Sequence, residues 1–403
     1  MLMAVVVGCS DDESNNPTPL VKPERVTITR AERQLVASSN AFSFNLFRTA
    51  QDEVNSQILS PISITYALGM LNNGAAGDTQ AQINKVLGFG EANADSINAF
   101  CRKMLTFAPR LDPLTKVMIA NNIYVNKGYE LKTDFVQKAK EFYDATPETR
   151  DFHDGKTMNV INQWASDHTE RMIQKVLDAD SFNPNAVSYL LNAIYFKGTW
   201  TDKFEKSETK DEDFWQAGAE GKRTKMPMMH RRAEYSYAEN EKYQALYLPY
   251  GNESYAMTIL LPKDLTNEVC PVPTIEEWQQ LREMMDFYEV DVKLPRFETD
   301  TDIDLKDIMS ALGMPDAFDA DKADFRNFCV TPTYIGLMKQ VAKIKLDEQG
   351  TEAAAVTVIG MLDAALPPIP GGPFDFHANH PFLYVISEMQ TGAIFFIGQY
   401  TGN

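Results

Sequence analysis

Five histidines are the residues best suited to acid–base or metal chemistry, and they are scattered along the chain. None falls in an HExxH zinc motif, and the sequence has no GxSxG nucleophile elbow, P-loop or GxGxxG cofactor motif. We interpret His168 and His230 as solvated surface groups, whereas His377 and His380 lie beside a proline-rich stretch. Since a catalytic triad is recognised by geometry rather than by order, a hydrolase with a dispersed site stays open as an alternative.

The segment DEQGTEAAAVTVIG, from Asp347 to Gly360, has two conflicting preferences. Glu352 and the three alanines after it favour a helix, whereas the following valines, threonine and isoleucine favour a strand. Taken alone, it is an alanine-rich helix or a strand already in place. No proline occurs from Asp347 to Leu366, so the segment is also permitted as the central strand of a sheet.

The composition is that of a globular protein, with 403 residues of which 44% are hydrophobic and 23% are charged. The formal net charge of −18 repels nucleic acid and anionic lipid head groups, so we expect neither as a partner. Cys101, Cys270 and Cys329 are odd in number and far apart, which indicates neither a disulfide framework nor a metal site.

The N-terminal apolar run LMAVVVG is far shorter than the roughly 20 residues of a membrane span. It leads into VVGCS, which resembles a bacterial lipobox with Cys9 as the lipidated residue, although the basic region expected ahead of it is missing. We therefore interpret residues 1–9 as the remnant of a signal peptide and residues 10–28 as a disordered tether. This interpretation predicts a surface-exposed outer-membrane lipoprotein; the alternative is a disordered N-terminus with a chance cysteine.

Helix and strand signals alternate along the rest of the chain. A capping box at Thr29 and Glu32 predicts a first helix, and Ser60 followed by Pro61 predicts the start of a second. Further helices are predicted near Phe135 to Tyr143 and Val160 to Leu177. Apolar runs predict strands at 117–125, 189–196, 256–261, 290–294, 341–346, 382–386 and 393–397. The pattern predicts one α+β domain over residues 29–403, with large antiparallel or mixed sheets.

Several longer stretches, taken in order, resemble the serpins, a family of serine protease inhibitors. NAFSFNLF and ILSPISITYALGMLNNGAAGDTQAQINKVLGF are similar to the N-terminal helices of the family, and LLNAIYFKGTWTDKFE to its central strand and turn. HPFLYVISEMQTGAIFFIGQ is similar to the C-terminal strand pair, and DEQGTEAAA to the reactive-loop hinge of inhibitory members. The resemblance covers nearly the whole chain and implies the serpin fold with an exposed reactive loop.

The resemblance implies a suicide-substrate mechanism in which a protease cleaves the loop and the loop then inserts into a large sheet, trapping the acyl-enzyme. Gly350 supplies the freedom of a pivot. Because strand residues alternate between faces, Thr351, Ala353, Ala355 and Thr357 should face the core together. Their small size suits insertion. The implied hinge is Gly350, Thr351, Glu352, Ala353, Ala354 and Ala355.

The family spacing, counted from Glu348, implies a reactive bond between Ala364 and Ala365. The following LPPIPGGPFDF is longer than in many relatives, so other residues stay open as reactive positions: Met361, Leu362 and Leu366. No lysine or arginine occurs between Gly350 and Phe376, which disfavours trypsin-like targets. Elastase-like or subtilisin-like serine proteases are expected instead, and papain-like cysteine proteases stay open.

Two groups of control residues are also implied by the resemblance. The shutter, beneath the point where the sheet opens, consists of Ser60, Ser63, Asn192 and Gln340. Gln340 stands where the family usually has a histidine, and glutamine does not titrate near neutral pH.

The breach, at the entry point of the loop, consists of Trp200, Arg296 and Glu348. A plainer interpretation makes Ser60 only a helix cap, Trp200 only core and the Arg296–Glu348 pair an exposed bridge worth under ~1 kcal/mol.

The sequence therefore predicts a metastable, monomeric, lipid-anchored protease inhibitor that is not an enzyme and that needs no cofactor or metal. The alternative is a non-inhibitory serpin-fold surface protein that binds a ligand or partner.

Overall fold

The computed structural model describes residues 24–90, 92–217, 222–264, 270–351 and 372–402. Cys9 and the reactive-bond residues Met361, Leu362, Ala364, Ala365 and Leu366 lie outside the described residues, as does the hinge beyond Thr351. Along the described parts of the chain, no helix combines the length and the apolar character that a membrane span requires.

The described residues form eight α-helices and fifteen β-strands. The helices are α1 (Arg30–Ala50), α2 (Pro61–Asn72), α3 (Gly77–Val86), α4 (Ala94–Phe107), α5 (Thr133–Tyr143), α6 (Thr157–His168), α7 (Ile275–Glu283) and α8 (Lys306–Leu312). The strands are β1 (Gln57–Leu59), β2 (Thr115–Asn126), β3 (Glu148–Arg150), β4 (Ser188–Thr199), β5 (Lys210–Trp215), β6 (Arg223–Glu239), β7 (Tyr243–Tyr250), β8 (Tyr255–Pro262), β9 (Asp286–Pro295), β10 (Phe297–Asp304), β11 (Leu337–Asp347), β12 (Gly350–Thr351), β13 (Phe374–His377), β14 (Phe382–Glu388) and β15 (Ile394–Tyr400).

Local signals start the first two helices where the sequence predicts. At α1 the Glu32 backbone N–H donates to Thr29 Oγ1 at 3.1 Å, and the Thr29 N–H donates to Glu32 Oε2 at 2.7 Å, which is the reciprocal capping box. Helix α2 begins at Pro61, where a missing N–H leaves no bond unmade. Every residue of α2 is buried, so this helix forms the centre of the molecule.

The helix predicted from Val160 to Leu177 is wrong in its second half, because α6 ends at His168. Glu170 and Arg171 adopt positive φ angles of 48° and 68°, which a right-handed helix cannot contain. Val176 and Leu177 are nevertheless buried against the same small cluster as α6. Their apolar spacing therefore reflects a loop packed on a sheet rather than another helical turn.

Two large sheets confirm the predicted α+β architecture. One has the strand order β1-β15-β14-β8-β7-β6-β9-β13, with β5 paired to β6. The other has the order β10-β11-β12-β4-β2-β3, and β11 also pairs directly with β4. All seven predicted strands fall on or overlap observed ones. The main core lies between the sheets and around α2, and a smaller cluster lies beneath α6 on the outer face of the six-stranded sheet.

Candidate functional site

The six-stranded sheet contains a partly opened seam between β4 and β11. Over most of their length these strands pair directly and in parallel, from Leu337 opposite Tyr189 to Lys343 opposite Tyr195. Beyond that point the short strand β12 lies between them. It pairs antiparallel with β11 on one side and with β4 on the other. The seam is therefore closed at one end and already holds an inserted strand at the other.

The register of the seam is the same in its closed and opened parts. In the closed part Lys343 lies opposite Tyr195, a difference of 148 in residue number. In the opened part Thr351 pairs with both Leu346 and Gly198, which also differ by 148. Widening the seam therefore needs only a sideways separation by one strand spacing, about 4.8 Å, without sliding of one strand along the other.

The first inserted residues are held tightly. Gly350 has φ 140°, and a Cβ added there would lie 2.1 Å from the Gly198 carbonyl oxygen, so this position requires glycine. Thr351 is fully buried, and its hydroxyl lies 2.7 Å from the Tyr250 hydroxyl. Thr351 thus faces the core, on the side where the sequence places it.

The turn between β11 and β12 is fixed by Trp200, one of the predicted breach residues. The indole Nε1–H donates to the Asp347 carbonyl at 3.0 Å, and the Trp200 backbone N–H donates to the Gln349 carbonyl at 2.9 Å. The indole ring also stacks on Tyr250, with ring centroids 4.4 Å apart and planes inclined by 11°. Trp200 therefore belongs to the core and also binds the entrance of the seam.

The breach carboxylate of Glu348 is buried rather than exposed. Its side chain is 1% exposed, whereas that of its ion-pair partner Arg296 is 42% exposed. It also accepts a hydrogen bond from Thr209 Oγ1 at 2.6 Å. Burial opposes ionisation of Glu348, but the hydrogen bonds from Thr209 and Arg296 outweigh it and lower the pKa of this carboxyl. The interpretation of this pair as an exposed bridge is therefore wrong for Glu348, although Arg296 is exposed.

The predicted shutter residues form one buried network beneath the closed part of the seam. Gln340 Nε2 donates to Asn192 Oδ1 at 2.5 Å, which links β11 directly to β4. Gln340 Oε1 accepts from the Ser60 backbone N–H at 2.9 Å, and Ser63 Oγ donates to Asn192 Oδ1 at 2.7 Å. The family resemblance grouped these four residues, and the structure joins them through the side chains of Ser63, Asn192 and Gln340 and the backbone of Ser60.

Ser60 occupies the N-cap position of α2 but does not cap it with its side chain. Its hydroxyl donates instead to the Phe395 carbonyl at 2.7 Å, tying α2 to the nine-stranded sheet. The simpler interpretation of Ser60 as only a helix cap is therefore wrong.

Three residues of this site were missed from the sequence. Tyr250 meets Thr351, Thr209 binds Glu348, and Asn121 Oδ1 accepts from Asn192 Nδ2 at 2.7 Å, which extends the shutter to β2. Asn121 and Asn122 within an apolar strand run were the only local signal, because buried polar side chains require partners. Tyr250 and Thr209 lie 101 and 139 residues from the partners that they bind, and no such local signal marks them.

The histidines considered as catalytic candidates lie away from the seam. His230 is half-buried rather than solvated, and its Nε2 and that of His377 each lie 3.1 Å from Asp291 Oδ1. Burial opposes ionisation of Asp291, but the hydrogen bonds of the two histidines outweigh it and lower its pKa. His168 is exposed, as predicted.

The three thiols that the structure describes are all buried and poorly suited to act as nucleophiles. Burial raises the pKa of Cys101 and of Cys329 to about 12, and it raises that of Cys270 further. Within the residues that the structure describes, no group of three or more histidine, cysteine or acidic side chains is arranged to hold a metal ion.

Comparison with known proteins places this geometry in one family. The model of the family "Serpin (serine protease inhibitor)" matches residues 37–402. Serpin B6 of Macaca fascicularis is 30% identical over 91% of this chain and 99% of its own length. The leukocyte elastase inhibitor of Equus caballus is 31% identical with the same coverage.

Among solved structures, the thermophilic serpin tengpin in its native state superposes with a TM-score of 0.83 and 27% identity. That match covers 95% of this chain and 98% of tengpin. The family description and the name of the horse relative both denote protease inhibitors rather than enzymes. With its seam, shutter and breach arranged as described above, this chain belongs to the serpin family.

Proposed function

We propose that this protein irreversibly inhibits serine endopeptidases by acting as a suicide substrate. The nucleophile of the protease attacks the carbonyl carbon of Ala364, forming an ester as the Ala364–Ala365 amide bond breaks and a protonated amine leaves on Ala365. The loop then inserts into the seam before water hydrolyses the ester. The observation that carries this proposal is β12, which already lies in register between β4 and β11.

Continuation of β12 along the seam suits the sequence that follows it. In the same register, Ala353 would lie between Ile344 and Phe196, and Ala355 between Ala342 and Ile194. Small side chains fit between strands that are packed on a dense core, since larger ones would force the neighbours apart.

Farther along, Thr357 would lie between Gln340 and Asn192. Its hydroxyl is both donor and acceptor, so it can replace the hydrogen bond between those two side chains that separation of the strands breaks.

The length of the loop is sufficient to move an attached protease. Thr351 to Ala364 is fourteen residues in the sequence, which span about 46 Å as a strand. A compact chain of this size has a radius of gyration of about 21 Å. An enzyme esterified to Ala364 would therefore travel across most of the inhibitor, which distorts its active site and protects the ester.

The target class is proposed from the loop composition. The absence of lysine and arginine between Gly350 and Phe376 leaves a trypsin-like specificity pocket without its charged partner. Ala364 fits a small, shallow pocket, and the chain is similar to leukocyte elastase inhibitors. Elastase-like enzymes are the proposed targets, followed by subtilisin-like serine proteases and papain-like cysteine proteases.

The test mixes the purified protein with neutrophil or pancreatic elastase and separates the products on denaturing gels. A band at the summed mass, together with a C-terminal fragment that begins at Ala365 by mass spectrometry, is the expected result. Parallel reactions with subtilisin and papain test the breadth of inhibition. Clean cleavage without a covalent complex by all these enzymes, with no rise in Tm after cleavage, would refute the inhibitor mechanism.

The location is a separate part of the proposal. The VVGCS stretch supports lipidation at Cys9, with residues 10–28 as a tether that presents a monomeric inhibitor on the outer membrane. Detergent phase partitioning of protein isolated from its native cells should place it in the detergent phase, and the Cys9→Ala variant in the aqueous phase. Aqueous partitioning of both forms would contradict the anchor.

A further inference from the structure

Two lysines flank the seam just below its opened end. Lys197 of β4 is half-buried and Lys345 of β11 is exposed. Glu298, the cross-strand neighbour of Lys345, binds Lys343 instead, at 2.6 Å. Among the described residues, no acidic side chain forms an ion pair with either Lys197 or Lys345.

A third lysine adds charge repulsion to this part of the sheet. Lys116 of β2 is the direct cross-strand neighbour of Lys197, and like charges in that position repel each other. Lys116 is paired with Glu170 at 2.7 Å, which neutralises only one of the two charges. Lys197 therefore retains an uncompensated charge beside the seam.

The register of β12 identifies the carboxylate that would lie between Lys197 and Lys345. Thr351 lies opposite Gly198 on one side and Leu346 on the other. Antiparallel pairing places the next inserted residue opposite Lys197 and Lys345. Since Thr351 faces the core, its successor faces the same outer surface as both lysines. That successor is Glu352.

We propose that Lys197 and Lys345 form a receptor for the Glu352 carboxylate, which fixes the register of the inserting strand at its first step. This inference rests on the proposed inhibitory function and adds positioning residues to it. A slip by one residue would turn Glu352 into the core, and a slip by two would place Ala354 between the lysines. Only the native register pairs all three charges.

The two lysines lie where the inserting strand would reach them first. Helix α6 covers Leu191 and Ala193, farther along the seam, whereas Lys197 and Lys345 lie at the open end. Insertion from β12 therefore meets the lysines before it reaches the part of the seam beneath α6.

The first experiment compares intact and loop-cleaved protein, using full-length wild type, Glu352→Gln, the Lys197→Gln/Lys345→Gln double variant and the triple variant. Loops are cut with a non-target protease, and unfolding is followed in guanidinium chloride. An exposed ion pair changes the equilibrium constant for unfolding by about 1.4- to 5-fold. Glu352→Gln removes two such pairs, so it should raise the unfolding constant of the cleaved form by about 2- to 25-fold. It should leave the intact form unchanged.

The double-mutant cycle separates a specific contact from a general loss of stability. Once both lysines are removed, Glu352→Gln should have no further effect on the cleaved form. Lys343→Gln is the matched control, because Lys343 lies on the same face but opposite the position of Ala354 in the extended register. Glu352→Gln and the Lys197→Gln/Lys345→Gln double variant should also raise the stoichiometry of elastase inhibition, because slower insertion lets more ester be hydrolysed.

The outcomes distinguish the two proposals. A wild-type protein that gains no stability on cleavage and forms no covalent complex would overturn the inhibitory function and this inference with it. A wild type that gains stability, combined with additive effects of the glutamate and lysine substitutions, would overturn the lysine receptor alone.

Discussion

Gln340→His converts the shutter into a pH sensor, and the hydrogen bonds of Gln340 show why. Its amide accepts from the Ser60 N–H through Oε1 and donates to Asn192 through Nε2. A neutral imidazole can reproduce this pattern with one ring nitrogen as acceptor and the other as donor. An imidazolium has only donors, so the buried Ser60 N–H would lose its acceptor and a charge would be buried.

The expected magnitude follows from proton linkage. Burial and the need for an acceptor hold the imidazole neutral in the closed sheet, so its pKa falls below the ordinary value of about 6.5. The unfolded chain then binds more protons, and the closed form loses stability as pH falls below about 6.5. The cost approaches about 1.36 kcal/mol per pH unit once the unfolded imidazole is fully protonated, so the loss between pH 6.5 and 5 reaches about 1.6 kcal/mol.

The assay measures the free energy of unfolding of the intact protein in urea at several pH values from 5 to 8, for wild type and Gln340→His. The rate of elastase inhibition is measured over the same pH range. The ratio of the variant rate to the wild-type rate at each pH cancels the pH dependence of the protease itself. Gln340→Leu is the control, because it removes the hydrogen bonds without adding a titrating group, and its difference from wild type should not vary with pH. Parallel profiles of Gln340→His and wild type would refute the argument.

Three further predictions concern the entrance of the seam. Gly350→Ala brings a Cβ within 2.1 Å of the Gly198 carbonyl oxygen, so it should lower intact stability by about 1–3 kcal/mol; an unchanged Tm would contradict the steric argument. Thr351→Arg places an unpaired charge at a fully buried position, so proteases should cleave the loop without forming a complex, whereas Thr351→Ser should still inhibit. Glu348→Gln should cost about 1.5–3 kcal/mol at pH 7, because it removes charged hydrogen bonds including that of Arg296. Because the pKa of Glu348 is lowered in the folded protein, the deficit in urea unfolding should shrink below about pH 4.5, and a deficit independent of pH would count against the ionised carboxylate.

Local sequence signals located four of the eight described helices and seven of the fifteen described strands. The capping box at Thr29 and the Ser60–Pro61 pair act through neighbouring backbone groups, so they mark helix starts without tertiary information. Apolar runs marked the seven strands, because buried strands leave continuous hydrophobic patterns. The same rule overextended α6, because Val176 and Leu177 are buried by a loop that the pattern alone cannot distinguish from a helix.

The sequence by itself determined that a glycine pivot precedes a segment whose alternate residues are small and uncharged, which is compatible with both a loop and a central strand, since these are properties of individual side chains. Only the tertiary structure decided where that strand begins to enter. The pairing of Thr351 with both Gly198 and Leu346 depends on two strands far apart in sequence. The burial of Glu348 depends likewise on Thr209 and Arg296. Long-range packing sets these partners, because a strand register and a buried charge are stabilised by whatever the fold places opposite them.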